Sequence, residues 1–179
     1  DGYIDIVISE CPALPRLEHR RLESPTVKEL NLLATRLEKL SEWELTAAGA
    51  IYNDMIEKNE ESDNLIPMKD IINMTYGLDS VPVMNGIGYD GQLGEYIIDN
   101  GVEEYIKELS DEALSCLDAE QVGKKYREKE NGKYMDGFYV GVGHYKNPEI
   151  YDGKHLPPEE NPELGEGVFR LLVAKAPEE

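Results

Sequence analysis

The string Gly86-Ile87-Gly88-Tyr89-Asp90-Gly91 has the spacing of a phosphate-cradling loop. In a dinucleotide site such glycines let the backbone approach a pyrophosphate seated on a helix N-terminus, with a strand before and an acidic ribose partner about twenty residues on. Here a carboxylate, Asp90, stands inside the loop, where it would repel phosphate. Flexible turn glycines are the better reading. His19, His144 and His155 are too scattered for paired metal ligands or an acid–base dyad. Cys11 and Cys116 form no CxxC pair, and two unlinked thiols fit a reducing cytoplasm. No serine has a GxSxG context. Asp90 to Asp99 lacks the alternating ligands and final Glu of a calcium loop. Asn73-Met74-Thr75 spells a glycosylation sequon, but nothing else in the chain suggests secretion. Catalytic residues, metal and cofactor are therefore all expected to be absent. What stands out is carboxylate in bulk, and carboxylates without a pocket do not make an acid–base pair.

The chain of 179 residues carries 37 Asp+Glu against 18 Lys+Arg, a net charge of −19. Residues 40–120 hold 19 acidic and three basic side chains, a net −16, whereas residues 1–39 net −1 and 121–179 net −2. Duplex DNA carries one charge per roughly 1.7 Å, so sixteen charges cover about 27 Å. A compact unit of about 80 residues is about 30 Å across. If residues 40–120 form one such unit, it matches DNA in charge per length. That suits imitation of DNA and excludes direct binding to it. The simpler alternative is an acidic surface that only keeps the protein soluble.

The elements that must carry these charges alternate between short strands and helices. Forty per cent hydrophobic residues suffice for a core. Eleven Tyr against two Phe and one Trp give rings that pack yet keep a hydroxyl. No apolar run is long enough to span a membrane, and no signal peptide opens the chain. The chain starts without Met and is expected to be trimmed or a fragment. Residues 3–8 read as a strand. Ser24-Pro25 starts a helix whose apolar stripe is Val27, Leu30, Leu33, Leu37 and Leu40. Ser41 to Glu44 is a capping box opening a second helix, with Leu45, Ala48, Ile51, Tyr52, Met55 and Ile56 inward, and the short link suggests an antiparallel pair. Residues 58–65 are a polar loop, and Pro67 starts a short helix through Met74. Residues 77–92 are expected as loop or short strand, 92–99 as helix stopped at Gly101, and 102–109 as a further helical turn or two. Asp118 caps a helix to about Glu128, residues 134–143 alternate as a strand, 146–163 form a Pro-rich loop, and 167–174 make a last strand. The class is α+β, elongated, in two small subdomains with a few antiparallel strands. The expected division is 1–62, 63–145 and a terminal 146–179.

Within the middle segment Glu95, Asp99, Glu103, Glu104, Glu108, Asp111 and Glu112 recur every three to five residues. That places carboxylates on outer helix faces with Tyr96, Ile97, Tyr105, Ile106 and Leu109 inward. Few have a basic residue at i+4, in contrast to the mixed signs of Lys124 to Lys133. The basic cluster is read either as an ordinary solvated face or as a partner for acidic surface across a dimer interface.

The order of segments carries a resemblance. A Leu14-Pro15 turn is followed by a helix of the type xxELNxLxxxLExL from Lys28 to Leu40, then DIINMTYGLD from Asp70 to Asp79. LGEYIIDNG follows from Leu93 to Gly101, then LDAEQVGKKYREKENGKYMDGFYV from Leu117 to Val140. This resembles the ArdA antirestriction family of bacterial mobile elements over roughly residues 14–140. The most specific steps are LG-x-Y-hydrophobic and D-x-E-x-hydrophobic-G-[KR], followed by a helix and a DG-hydrophobic strand. The resemblance implies an elongated acidic protein that imitates bent B-form DNA and competes for the DNA-binding groove of type I restriction–modification enzymes, at their methyltransferase core. It implies a homodimer joined through the C-terminal part, and no catalytic residue. The chain departs from the family in two places. Of the family's N-terminal domain only a last strand is present, as residues 2–9, and the extension from Lys146 to Glu179 lies outside the pattern. The residues expected to stand in for phosphates are Asp70, Asp79, Asp90, Glu95, Asp99, Glu103, Glu104, Glu108, Asp111, Glu112, Asp118 and Glu120. The alternative expectation is an acidic interaction module of a conjugative element with another basic partner.

Overall fold

The computed structural model describes residues 5–18, 22, 25–60, 65–157 and 170–174. The class is α+β. Contacts divide the chain into one unit of Asp1–Ser80 with Lys146–Glu179, and a second of Val81–Tyr145.

In the first unit, strand β1 (Asp5–Glu10) leads into a 3-10 turn at Pro15–Leu17, with Cys11, Leu14 and Leu17 buried. Helix α1 (Val27–Lys39) is capped by Thr26, whose hydroxyl accepts from the Glu29 amide while the Glu29 carboxylate accepts from the Thr26 amide. Pro25 thus stands before the cap rather than at the first helical position, and the helix starts two residues later than expected. Leu30, Leu33 and Leu37 are buried as the stripe requires, with Leu32 and Ala34 beside them, but Val27 is exposed. Helix α2 (Glu42–Glu60) opens with the Ser41/Glu44 capping box in place. Helix α3 (Met68–Met74) buries Ile71, Ile72 and Met74 and packs on both α1 and α2. Helix α3 thus bridges the two longer helices.

Residues beyond 145 return to the same unit. The buried Asn73 amide donates to the Tyr151 carbonyl at 2.9 Å and accepts from the Tyr151 and Ile150 amides at 2.7 and 3.1 Å. The Tyr151 hydroxyl donates to Glu29 at 3.2 Å. Strand β5 (Arg170–Ala174) pairs antiparallel with β1, Ile8 opposite Leu171, with an irregularity between Ile8 and Glu10. The part of the last expected strand before residue 170 lies outside the described residues, as do residues 61–64 of the expected polar loop, whose first residues 58–60 instead end α2.

In the second unit, a three-stranded antiparallel sheet has the order β2 (Val83–Asn85), β4 (Phe138–Gly141), β3 (Gly132–Met135). Helices α4 (Asp90–Asp99), α5 (Glu104–Lys107), α6 (Asp111–Leu114) and α7 (Ala119–Lys129) lie between β2 and β3 in sequence. Their core is Ile87, Leu93, Ile97, Ile106 and Tyr139. The stop expected at Gly101 is there, with φ of +55°.

Three expectations change. Residues 134–143 are not one strand but a hairpin, β3 and β4, turned at Asp136 and Gly137 with φ of +51° and +83°. Two successive positive φ values make the type I′ two-residue turn that Asp-Gly favours. The division of the chain falls after Ser80 rather than near residue 62, because α3 is tied to α1, α2 and Tyr151. Consequently residues 40–120 straddle both units, and the comparison of sixteen charges with a single compact body fails. The second unit carries thirteen acidic and six basic side chains, a net −7, and the first carries −12.

Candidate partner-binding surface

The twelve carboxylates are shared between the two units. Asp70, half-buried in the first turn of α3, and Asp79, exposed in a 3-10 turn at Leu78–Ser80, belong to the first. The other ten lie between Asp90 and Glu120 in the second, where Lys107 is the single basic residue of that stretch. Eight of the ten are exposed: Glu95, Asp99, Glu104, Glu108, Asp111, Glu112, Asp118 and Glu120.

Local folding explains how so many like charges are tolerated. The segment is broken into short helices, and each begins acidic: Asp90 in α4, Glu104 in α5, Asp111 and Glu112 in α6, Glu120 in α7. Asp118 caps α7, accepting from the Gln121 amide at 3.2 Å. A carboxylate near a helix N-terminus gains about 0.3–1 kcal/mol from the macrodipole. Four helix starts therefore offset part of the self-repulsion without adding cations.

Asp90 and Glu103 are the two that differ. The Arg127 guanidinium grips Asp90 with two bonds, Nε to Oδ1 at 2.7 Å and Nη2 to Oδ2 at 3.1 Å, and the Tyr134 hydroxyl donates to Oδ1 at 2.7 Å. These bonds, Arg127 foremost, hold the Asp90 carboxyl below the usual carboxylate range against the opposing push of burial. Burial, followed by the bond to Asp90, pushes the Tyr134 phenol up. Asp90 thus links the start of α4 to the end of α7 and to β3. Lys129 binds Glu103 at 2.8 Å, an exposed pair worth little by itself. Two members of the basic cluster therefore meet acidic residues of their own chain. Neither pairing was legible from spacing, since the partners lie 37 and 26 residues apart.

The Gly86–Gly91 string connects β2 to α4, and two of its amides are engaged within the protein. Gly86 donates to the Gly137 carbonyl at 3.0 Å and Gly88 to the Gln92 side chain at 2.9 Å. With Asp90 held by Arg127, the loop serves as a turn. His144 pairs with Glu130, and His155 with Asp152, while His19 lies outside the described residues. Asn73 of the sequon is fully buried with its amide bonded, which leaves no access for a glycan.

The tyrosines depart from expectation. Ile97 and Ile106 are buried as expected, but Tyr96 and Tyr105 are exposed and Leu109 is half-buried. α4 buries Leu93, Gly94 and Ile97, and position 96 faces away from that stripe. Tyr89 is also exposed, so aromatic rings stand among the carboxylates. A cleft of about 510 Å³ lies beside them, lined by Tyr105, Leu117, Val122 and Tyr126 together with two carboxylates, Glu103 and Asp118, and two lysines, Lys125 and Lys129. Among the described residues no helix is long and apolar enough to cross a membrane, and no three His, Cys, Asp or Glu side chains gather as a metal would need.

Comparison with protein-family models, with curated proteins and with solved structures finds no match. The likeness to the antirestriction family therefore rests on the residue steps quoted above.

Proposed function

We propose that the chain is an antirestriction protein that acts by occupancy, imitating DNA to fill the DNA-binding groove of a type I restriction–modification enzyme. A homodimer working in the cytoplasm is part of this reading. The observation that carries it is the run from Asp90 to Glu120, with ten carboxylates against one lysine and eight of them exposed on short helices or at their caps. The test is competition. The protein is titrated against a duplex bound to a type I methyltransferase core at low and at physiological salt. Displacement near stoichiometry that weakens with salt is expected, because the enzyme's DNA-binding cations are the target. No displacement at low salt from any type I core refutes the proposal.

A second reading, an acidic module for another basic partner, is favoured by the split of charge into −12 and −7 between units. The two readings separate on position. Moving the eight exposed carboxylates to other surface sites of the same unit keeps net charge and should abolish DNA imitation. A module that works through net charge would keep its binding.

A further inference from the structure

Helix α4 has two opposite faces. Leu93, Gly94 and Ile97 are buried, and α7 with its lysines crosses that side, where Gly94 lies against the Ala119 carbonyl. The other side carries Glu95, Tyr96 and Asp99, all exposed, and the Tyr89 ring, 60% exposed, lies across Gly91 in the first turn. Residues three and four apart on a helix are surface neighbours, so Tyr96 adjoins Asp99, and the outer face runs from Tyr89 through Gln92 to Tyr96. Among the described residues the Glu95 and Asp99 carboxylates have no hydrogen-bond or ion-pair partner. Helix α4 contains no basic residue, while Lys107 of α5 holds Glu104 at 3.1 Å and Lys129 of α7 holds Glu103 at 2.8 Å.

The chain itself shows what a ring beside a carboxylate accepts. Arg127 grips the Asp90 carboxylate with two bonds and lies over the Tyr134 ring, 5.8 Å from its centroid. Arg36 lies over the Tyr76 ring at 3.9 Å. A guanidinium is flat and weakly hydrated, so it meets a ring face and a carboxylate together, whereas an ammonium is a compact, strongly hydrated charge. The outer face of α4 offers the same two groups with no arginine of its own. We infer that this face receives arginine side chains of the partner in preference to lysines, each guanidinium lying over Tyr89 or Tyr96 and bonding Glu95 or Asp99. The inference rests on the occupancy reading for its partner, but the surface can be tested without that enzyme.

The probes are capped octa-arginine and octalysine, equal in length and charge, titrated at low and at physiological salt. The wild-type chain should bind octa-arginine the more tightly. Tyr89→Leu/Tyr96→Leu should weaken octa-arginine about tenfold and octalysine about twofold at most. Tyr89→Phe/Tyr96→Phe keeps both rings and should match wild type. Glu95→Gln/Asp99→Asn should weaken both peptides alike, since charge attracts either cation. All four side chains are exposed, and melts of each variant should stay at the wild-type value. If the leucine variant weakens both peptides equally, or neither, the arginine preference is refuted, and the occupancy reading is judged on duplex displacement alone. If the rings select arginine but the wild-type chain displaces no duplex, the occupancy reading falls while the arginine surface stands and serves the other basic partner.

Discussion

The two steps that carry the family likeness each contain one glycine, Gly94 and Gly123, and packing explains both. A Cβ on Gly94 would lie 1.7 Å from the Ala119 carbonyl oxygen, and one on Gly123 1.8 Å from the Asp90 carbonyl oxygen. Ordinary contact begins near 3.4 Å, so α4 and α7 would have to part by well over an ångström. Both obstacles are backbone, which no rotamer change can move. Such overpacking costs about 3 kcal/mol or more, at the upper end for cores. Alanine's better helix propensity returns about 1 kcal/mol. Gly94→Ala and Gly123→Ala should therefore each destabilise by about 2 kcal/mol, and a domain of this size should melt about 8–16 °C lower. Gly91→Ala is the control in the same helix. Its Cβ meets only the Tyr89 ring, at 2.8 Å, and that exposed ring can rotate away. It should be neutral or stabilising by up to about 1 kcal/mol. Thermal unfolding by far-UV circular dichroism, with hydrogen exchange over α4 and α7, reads all three. The double variant should cost less than the sum, since one separation relieves both clashes. A Gly94→Ala protein that melts at or above wild type, as propensity alone predicts, would refute the close crossing.

Other outcomes follow from single contacts. The Asp90 carboxyl is held below its ordinary 3.8 in the folded chain, so its contribution is full above that value and is lost as pH falls through and below it. Melts at pH 7 and pH 3 should show this loss, and Asp90→Asn should be less stable at pH 7 with a flatter acid dependence. Asn73→Ala orphans the Tyr151 and Ile150 amides, at about 1–3 kcal/mol for a buried donor, and urea unfolding together with faster proteolysis within residues 146–157 should report it. Gly137→Ala forces a side chain into φ of +83°, which costs about 1 kcal/mol, and exchange of the β3–β4 hairpin amides should rise.

Some of this was legible because the signal is local. The Ser41/Glu44 box, the Asp118 cap, the stop at Gly101 and the Leu30/Leu33/Leu37 stripe each depend on residues three or four apart, and all are found. The hairpin was local too. Asp136-Gly137 between alternating apolar residues is its signature, and reading Tyr134 to Gly143 as one strand passed over it. The tyrosines at 96 and 105 were misplaced for a different reason. On short helices the buried stripe is narrow, and which side faces inward depends on the neighbouring element rather than on spacing.

The α+β class, the starts of α2 and α7, the stop at Gly101 and the total charge of −19 follow from composition and capping, which need no distant partner. Tertiary structure alone decided how that charge is distributed. Asn73 binds a segment 78 residues away and draws the chain beyond 145 back to the helices of the first unit. Arg127 reaches Asp90 across 37 residues and withdraws it from the exposed set. The crossing of α4 on α7 requires glycine at 94 and 123 and leaves α7 with an open face against Tyr105. Each is a pairing between residues far apart in the chain. Helix and strand periodicity reports which face of a segment is apolar, but not what that face meets.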